Sequence, residues 1–344
     1  MNIKNTSKKF KIVLSVGDES GIGPEIILKA LCSNEIPENI DFILVGSKKN
    51  LQNTYTHLKS LGLKNLANPK DLNIYDLEIS SSDNKSKSSY GDSSFNYLTK
   101  AIEIVKQYPN SALVTGPICK KSWSLAGHYF SGQTEVLAKS CGTKNVGMLF
   151  TAKSPITGWR LNTLLATTHI PLRDVPEILT TELIHSKLNL FKDFCSKYSD
   201  KPTLKVAGLN PHAGEEGILG NEEKDWLNDA LIAWNKKNRD IKLLGPLSPD
   251  SCWNSSAKAW IDKDAEKHDG ILAMYHDQGL IPMKTIALNY SVNTTIGLPF
   301  IRTSPDHGTG FDIAVKGIAQ SQSMIEAIKA AFDITKNSSL LNTH

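Results

Sequence analysis

Leu272-Ala273-Met274-Tyr275-His276-Asp277-Gln278-Gly279 is the stretch on which the fold turns. The apolar run from Ile271 to Tyr275 has the length and composition of a buried strand. It stops at a histidine followed by an acid, an amide and a glycine, which suit a tight functional turn better than continued sheet. A strand therefore delivers His276 to a sheet edge.

The same arrangement stands twice upstream. Thr163-Leu164-Leu165-Ala166-Thr167-Thr168 runs into His169-Ile170-Pro171, and Leu204-Lys205-Val206-Ala207-Gly208-Leu209 runs into Asn210-Pro211-His212-Ala213-Gly214. If the three strands are parallel neighbours, their carboxyl ends share one edge, where open α/β sheets place their ligands. Singly, each histidine reads as an ordinary loop or core residue rather than a metal ligand. Together at three strand ends, three neutral imidazoles suit a divalent metal with positions left open for a substrate.

Working outward, strand and helix alternate. A strand Phe10 to Val16 opens into Gly17-Asp18-Glu19-Ser20-Gly21-Ile22-Gly23-Pro24-Glu25 and a helix from Ile26. Glycines and an early proline make a helix start that either approaches an anion or simply turns the chain. It is not a dinucleotide fingerprint, because Ile26 stands where the third glycine belongs. Further strands are expected at Asp41 to Gly46 and Ala112 to Thr115, with a helix at Leu51 to Leu61. The polar stretch Ser80 to Ser89 reads as an exposed loop before a helix from about Ser93 to Tyr108. Lys120 and Lys121 fall in a polar turn, facing an anion or only solvent.

Val146 to Ala152 and Ile156 to Ala166, joined by Lys153-Ser154-Pro155, read as an antiparallel pair that would suit an arm for dimer contacts. Then follow a helix Val175 to Lys197, a helix Asn221 to Lys236, a linker around Gly245 to Asp250 and a helix Ser256 to Lys263. The alternation makes the class α/β with a mostly parallel sheet. Near the C-terminus, Lys284 and Arg302 offer a point charge and a planar fork among glycine and proline turns. They suit a phosphate monoester or are plain surface cations.

Composition bounds the rest. With 344 residues, 40% hydrophobic and 22% charged, the chain is a globular protein of two domains or two lobes. A net charge of +4, spread rather than striped, gives no support to nucleic-acid binding. The five cysteines form no CxxC pair, which fits a reducing compartment. The polar lead Met1 to Lys9 lacks signal-peptide character and no apolar run is long enough to span a bilayer, so a cytoplasmic protein is expected.

Gly21-Ile22-Gly23-Pro24, Thr115-Gly116-Pro117, Gly132-Gln133-Thr134-Glu135, Ala166 to Leu172, Gly208 to Glu215, Ala273 to Gly279 and Gly297 to Ser304 together resemble the 4-hydroxythreonine-4-phosphate dehydrogenase family of vitamin B6 biosynthesis. The resemblance runs from about Lys11 to Ile334. It implies two α/β/α lobes of the isocitrate and isopropylmalate dehydrogenase type without a Rossmann motif, 1–130 with 295–344 and 131–294, the second carrying the metal-ligand strands. It also implies a homodimer with the active site at the subunit interface. The implied reaction is a metal-dependent, NAD-linked oxidation of 4-phosphooxy-L-threonine followed by loss of carbon dioxide, with NADP an alternative acceptor. His169, His212 and His276 match the family's metal ligands, zinc suiting them best and magnesium or cobalt being alternatives. Lys284, Asn293 and Arg302 match its substrate-binding positions and Thr134 a further substrate contact, while Gln133 is expected to be a neutral substrate contact. Asp277 and Asp250 are candidate general bases. Gln133 stands where the family pattern has histidine, so no group titrating near neutrality is present there. That keeps a sibling substrate such as 4-phospho-threonate or 4-phospho-erythronate in play; a metal-dependent hydrolase or lyase is the rival reaction class.

Overall fold

The computed structural model describes residues 10–77 and 86–341, so the polar lead and residues 80–85 of the serine-rich stretch lie outside the described residues. The chain divides into two units, 1–144 with 298–344 and 145–297. The first boundary falls after the helix Gln133–Cys141 rather than before it, because that helix packs on the helix Lys87–Val105 of the first unit.

In the first unit, β1 (Phe10–Ser15), β2 (Ile40–Gly46), β3 (Ile74–Asp76), β4 (Ser111–Thr115) and β11 (Ile301–Pro305) lie in the order β3-β2-β1-β4-β11, all parallel. β4 and the last four residues of β1 are buried throughout, as strands covered on both faces require. The helix Lys87–Val105 turns Leu98, Ala101, Ile102 and Val105 inward at helical spacing. Truncating Ile102 to alanine would cost about 3 kcal/mol. This helix starts six residues earlier than expected, at Lys87, because the Ser86 side chain caps it by accepting from the Ser89 N–H. Likewise the first helix begins at Gly23, and Lys120 and Lys121 open a short helix, Lys120–Leu125, rather than a turn.

In the second unit, β5 (Gly147–Lys153), β6 (Arg160–Leu165), β7 (Thr203–Ala207), β8 (Lys242–Leu247), β9 (Gly270–Ala273) and β10 (Val292–Ile296) lie in the order β10-β5-β6-β9-β7-β8. β5 pairs antiparallel with β6 as expected, and also with β10, while β6, β9, β7 and β8 are parallel. Because β5 and β6 are each flanked on both sides, they form the interior of the sheet and not a projecting arm. The expected linker is in part β8, an outer strand whose Gly245 and Pro246 disguise it and whose pairing with β7 is irregular at Lys205. The expected single helix Val175 to Lys197 is two, Val175–Ile178 and Thr181–Cys195, the second capped by the Thr180 side chain on Leu183 N–H.

Phe150, Leu161, Leu165, Ile271, Ala273, Trp253, Trp260 and Met283 form one buried apolar cluster beneath β6 and β9. All five cysteines are free. Among the described residues no helix is long and apolar enough to cross a membrane.

Candidate functional site

β6, β9 and β7 are consecutive parallel neighbours, so the segments bearing His169, His276 and His212 leave the sheet side by side. The ladder continues past the strands: Ala166 N–H donates to Ala273 O at 2.8 Å and Thr167 N–H to Met274 O at 3.2 Å. The His169 and His276 rings then come to a centroid separation of 5.4 Å, inclined at 44°. His276 is the first residue of a helix, His276–Ala287, not part of a tight turn. Its Nδ1 lies 2.7 Å from Asp277 Oδ1. That contact leaves Nε2 as the nitrogen with a lone pair to offer.

His212 is held differently. Residues 212–216 all take positive φ, at 52°, 52°, 80°, 44° and 57°, and four of them carry a Cβ. Each such non-glycine residue costs on the order of 1 kcal/mol, so surrounding structure must impose the turn. Glu223 does so from the next helical segment. Its Oε1 accepts from Leu209 N–H at 2.7 Å and Asn210 N–H at 2.9 Å, and its Oε2 from Asn210 Nδ2 at 2.8 Å. Glu223 is buried, whereas the His212 side chain is 62% exposed beside an open cavity of about 520 Å³ lined also by Glu215, Glu216 and Lys224. His212 Nδ1 lies 3.4 Å from Ser248 Oγ and 3.9 Å from Asp250 Oδ1. The Ser248 hydroxyl donates to Asp250 and, ahead of the nearby His212, holds its carboxyl below the usual range.

The donor chemistry fits a divalent ion. Two imidazoles sharing one tetrahedral metal place their ring centroids about 5 Å apart, given metal–nitrogen bonds of about 2.1 Å. The His169–His276 pair meets that spacing. Among the described residues no three His, Cys, Asp or Glu side chains are yet gathered closely enough to hold an ion, so two of the three expected ligands are paired and His212 stands on the adjoining turn.

In the first unit, Arg302 on β11 is 3% exposed, and its Nη2 donates to Thr115 Oγ1 at 2.7 Å. Burial pulls its guanidinium down to about 10. Gln133 opens its helix, and its Nε2 donates to Gly116 O at 3.1 Å. The Gln133 Oε1 is buried without a hydrogen-bond partner among the described residues. Thr134 follows it, half-buried. Arg302 and Gln133 therefore converge on the loop leaving β4, where a Cβ on Gly116 would meet Val16 O at 2.2 Å. Asp18 joins them: it is fully buried, its N–H donates to Pro117 O, and its Oδ2 has no partner among the described residues. The sequence reading passed over it; an acid directly after the first glycine of a glycine-rich loop was the available signal. Beside it, Tyr97 donates to Glu19 Oε1 at 2.5 Å, and burial, then Glu19, raise the phenol well above its ordinary range. In the second unit, Lys284 sits exposed in the last turn of the helix begun by His276, and Asn293 is half-buried on β10 opposite Phe150.

Residues 38–331 match the family model described as pyridoxal phosphate biosynthetic protein PdxA. The 4-hydroxythreonine-4-phosphate dehydrogenase of Synechococcus sp. (strain RCC307) is 47% identical over 94% of this chain and 99% of its own. The enzyme of that name from Synechocystis sp. is 45% identical over 95% and 96%. A crystal structure of 4-hydroxythreonine-4-phosphate dehydrogenase from Klebsiella pneumoniae superposes with a TM-score of 0.80 at 31% identity, covering 96% of this chain and 99% of that one. On the family model, these relatives and the shared fold, the chain belongs to the PdxA family of 4-hydroxythreonine-4-phosphate dehydrogenases.

Proposed function

We propose that the chain oxidises 4-phosphooxy-L-threonine to 2-amino-3-oxo-4-phosphooxybutanoate, which loses carbon dioxide to give 3-amino-2-oxopropyl phosphate, in pyridoxal phosphate biosynthesis. The observation that supports it most directly is the His169–His276 pair at 5.4 Å on adjoining strand ends. His169, His212 and His276 would hold a divalent metal, zinc first by ligand type and magnesium or cobalt otherwise. Bound there, the metal would supply Lewis acidity toward the substrate hydroxyl, and NAD, or NADP, would take the hydride.

The chain's own residues bind and orient. Arg302 would offer a desolvated fork to the phosphate and Lys284 an exposed point charge, so that binding energy far from the reacting carbon fixes its position. Gln133, Thr134 and Asn293 supply neutral hydrogen bonds, Gln133 through its unpaired Oε1. Asp277 fixes the His276 ring through Nδ1, and Asp250, its carboxyl held below the usual range beside His212, would accept the hydroxyl proton. The resemblance adds a homodimer with a shared site. The neutral Gln133 favours, as the second reading, oxidation of a sibling such as 4-phospho-threonate.

NADH formation from NAD and 4-phosphooxy-L-threonine, with divalent metal and again with chelator, tests the reading. Chelator-sensitive turnover supports it; turnover of 4-phospho-threonate alone replaces the substrate, and full turnover in chelator removes the metal.

A further inference from the structure

We propose that Gln278 is a positioning residue that sets the gap between the His276 helix and the His212 turn. This rests on the three-histidine reading of the site.

The carboxamide of Gln278 is buried, 8% exposed, and bridges two main chains. Its Oε1 accepts from Met274 N–H at 2.7 Å, and its Nε2 donates to Gly208 O at 2.7 Å. The β9–β7 register runs only as far as Leu272 opposite Val206. Met274 and Gly208 thus lie just where the strands part and the ladder fails. One side chain acts there as acceptor toward one strand and donor toward the other. Among neutral side chains of this length, only a carboxamide does both at once.

Met274 is pinned from its other side as well, since Thr167 Oγ1 donates to Met274 O at 2.7 Å. Thr167 and Met274 stand two residues before His169 and His276, and Gly208 four before His212. One hydroxyl and one carboxamide therefore tie the departure points of all three histidine segments. Gly279 lets the helix close over them, because a Cβ there would meet Leu165 Cδ2 at 2.7 Å. Glu223 then fixes the backbone of Leu209 and Asn210, so the constraint passes on toward His212. Partners behind metal-binding histidines characteristically govern affinity by about 10–100-fold.

The test uses full-length chain stripped of metal, as wild type, Gln278→Leu and Gln278→Met. Cobalt(II) is titrated against a competing chelator, the ligand-field spectrum is recorded, and the urea midpoint of the metal-free form is measured separately. Both substitutions keep the bulk and remove the two hydrogen bonds. The expected result is about a 10–100-fold loss of cobalt affinity with a changed spectrum, in protein that still unfolds cooperatively. Where Gln278→Leu does not fold, Gln278→Met carries the same expectation with a more adaptable side chain. Wild-type affinity and spectrum in a folded variant overturn the positioning role and leave the metal reading standing. A wild-type chain that takes up no cobalt overturns both.

Discussion

The His169 and His276 imidazoles stand 5.4 Å apart because β6 and β9 are parallel and in register, Leu165 opposite Ala273. His212 enters from β7, on the far side of β9, through a turn that keeps its ring exposed. A shared metal would therefore draw on a ready-made pair plus a third ligand from a separately braced turn. Because His212 packs little, His212→Ala is expected to leave the unfolding free energy from urea titration within about 0.5 kcal/mol of wild type. Metal affinity and NADH formation should each fall by at least about 100-fold. Full activity in this variant under chelator would sink the three-histidine site.

Arg302 makes the phosphate assignment testable. The guanidinium is buried against Thr115, and replacing it by lysine loses the planar fork without losing charge. Arg302→Lys is expected to lower kcat/KM by roughly 100-fold, about 3 kcal/mol, mostly through KM. Lys284→Ala, at an exposed position, should cost less. Equal kcat/KM for Arg302→Lys and wild type would place phosphate recognition elsewhere.

Gln133 gives a sharper contrast in pH than in rate. Its carboxamide has no titration near neutrality, so the wild-type kcat/KM profile should carry no limb from this position. Gln133→His is expected to introduce one, at about pH 6–7, while changing the plateau by less than about tenfold. A profile identical to wild type would mean that the side chain does not touch substrate.

Much of this arrangement was legible because central parallel strands bury both faces and so read as short apolar runs; Ile271 to Tyr275 and Thr163 to Ala166 are such runs. β8 was not, since Gly245 and Pro246 interrupt it and an outer strand tolerates both. The helix start at His276 reads as a turn in the sequence because Asp277, Gln278 and Gly279 have loop composition, whereas Asp277 complements the positive end of the helix. The left-handed run at residues 212–216 has no local signature, as only Gly214 within it is a glycine. It exists through Glu223, whose hydrogen bonds reach back to Leu209 and Asn210 and whose sequence setting is that of any acid in a first helical turn. Side chains that brace main chain across strands, Gln278 and Glu223 alike, leave little trace in periodicity or composition.

His268 links the second unit's stability to pH. The imidazole is 3% exposed, its Nε2 lies 2.8 Å from Ser256 Oγ, and it packs edge-on against Trp159. Burial, with Lys205 adding to it, pushes its pKa from 6.5 down to about 3. The folded chain therefore keeps this ring neutral where the unfolded chain protonates it. Its contribution is complete above about pH 6.5, falls as pH drops, and levels off near pH 3, with roughly 5 kcal/mol as the upper bound. His268→Gln keeps a group able to bond Ser256 but cannot titrate. Urea midpoints measured from about pH 8 to about pH 4 should show wild type losing stability relative to His268→Gln as the medium becomes more acidic. Two curves that stay parallel through that range would mean the ring is protonated or released in the folded state.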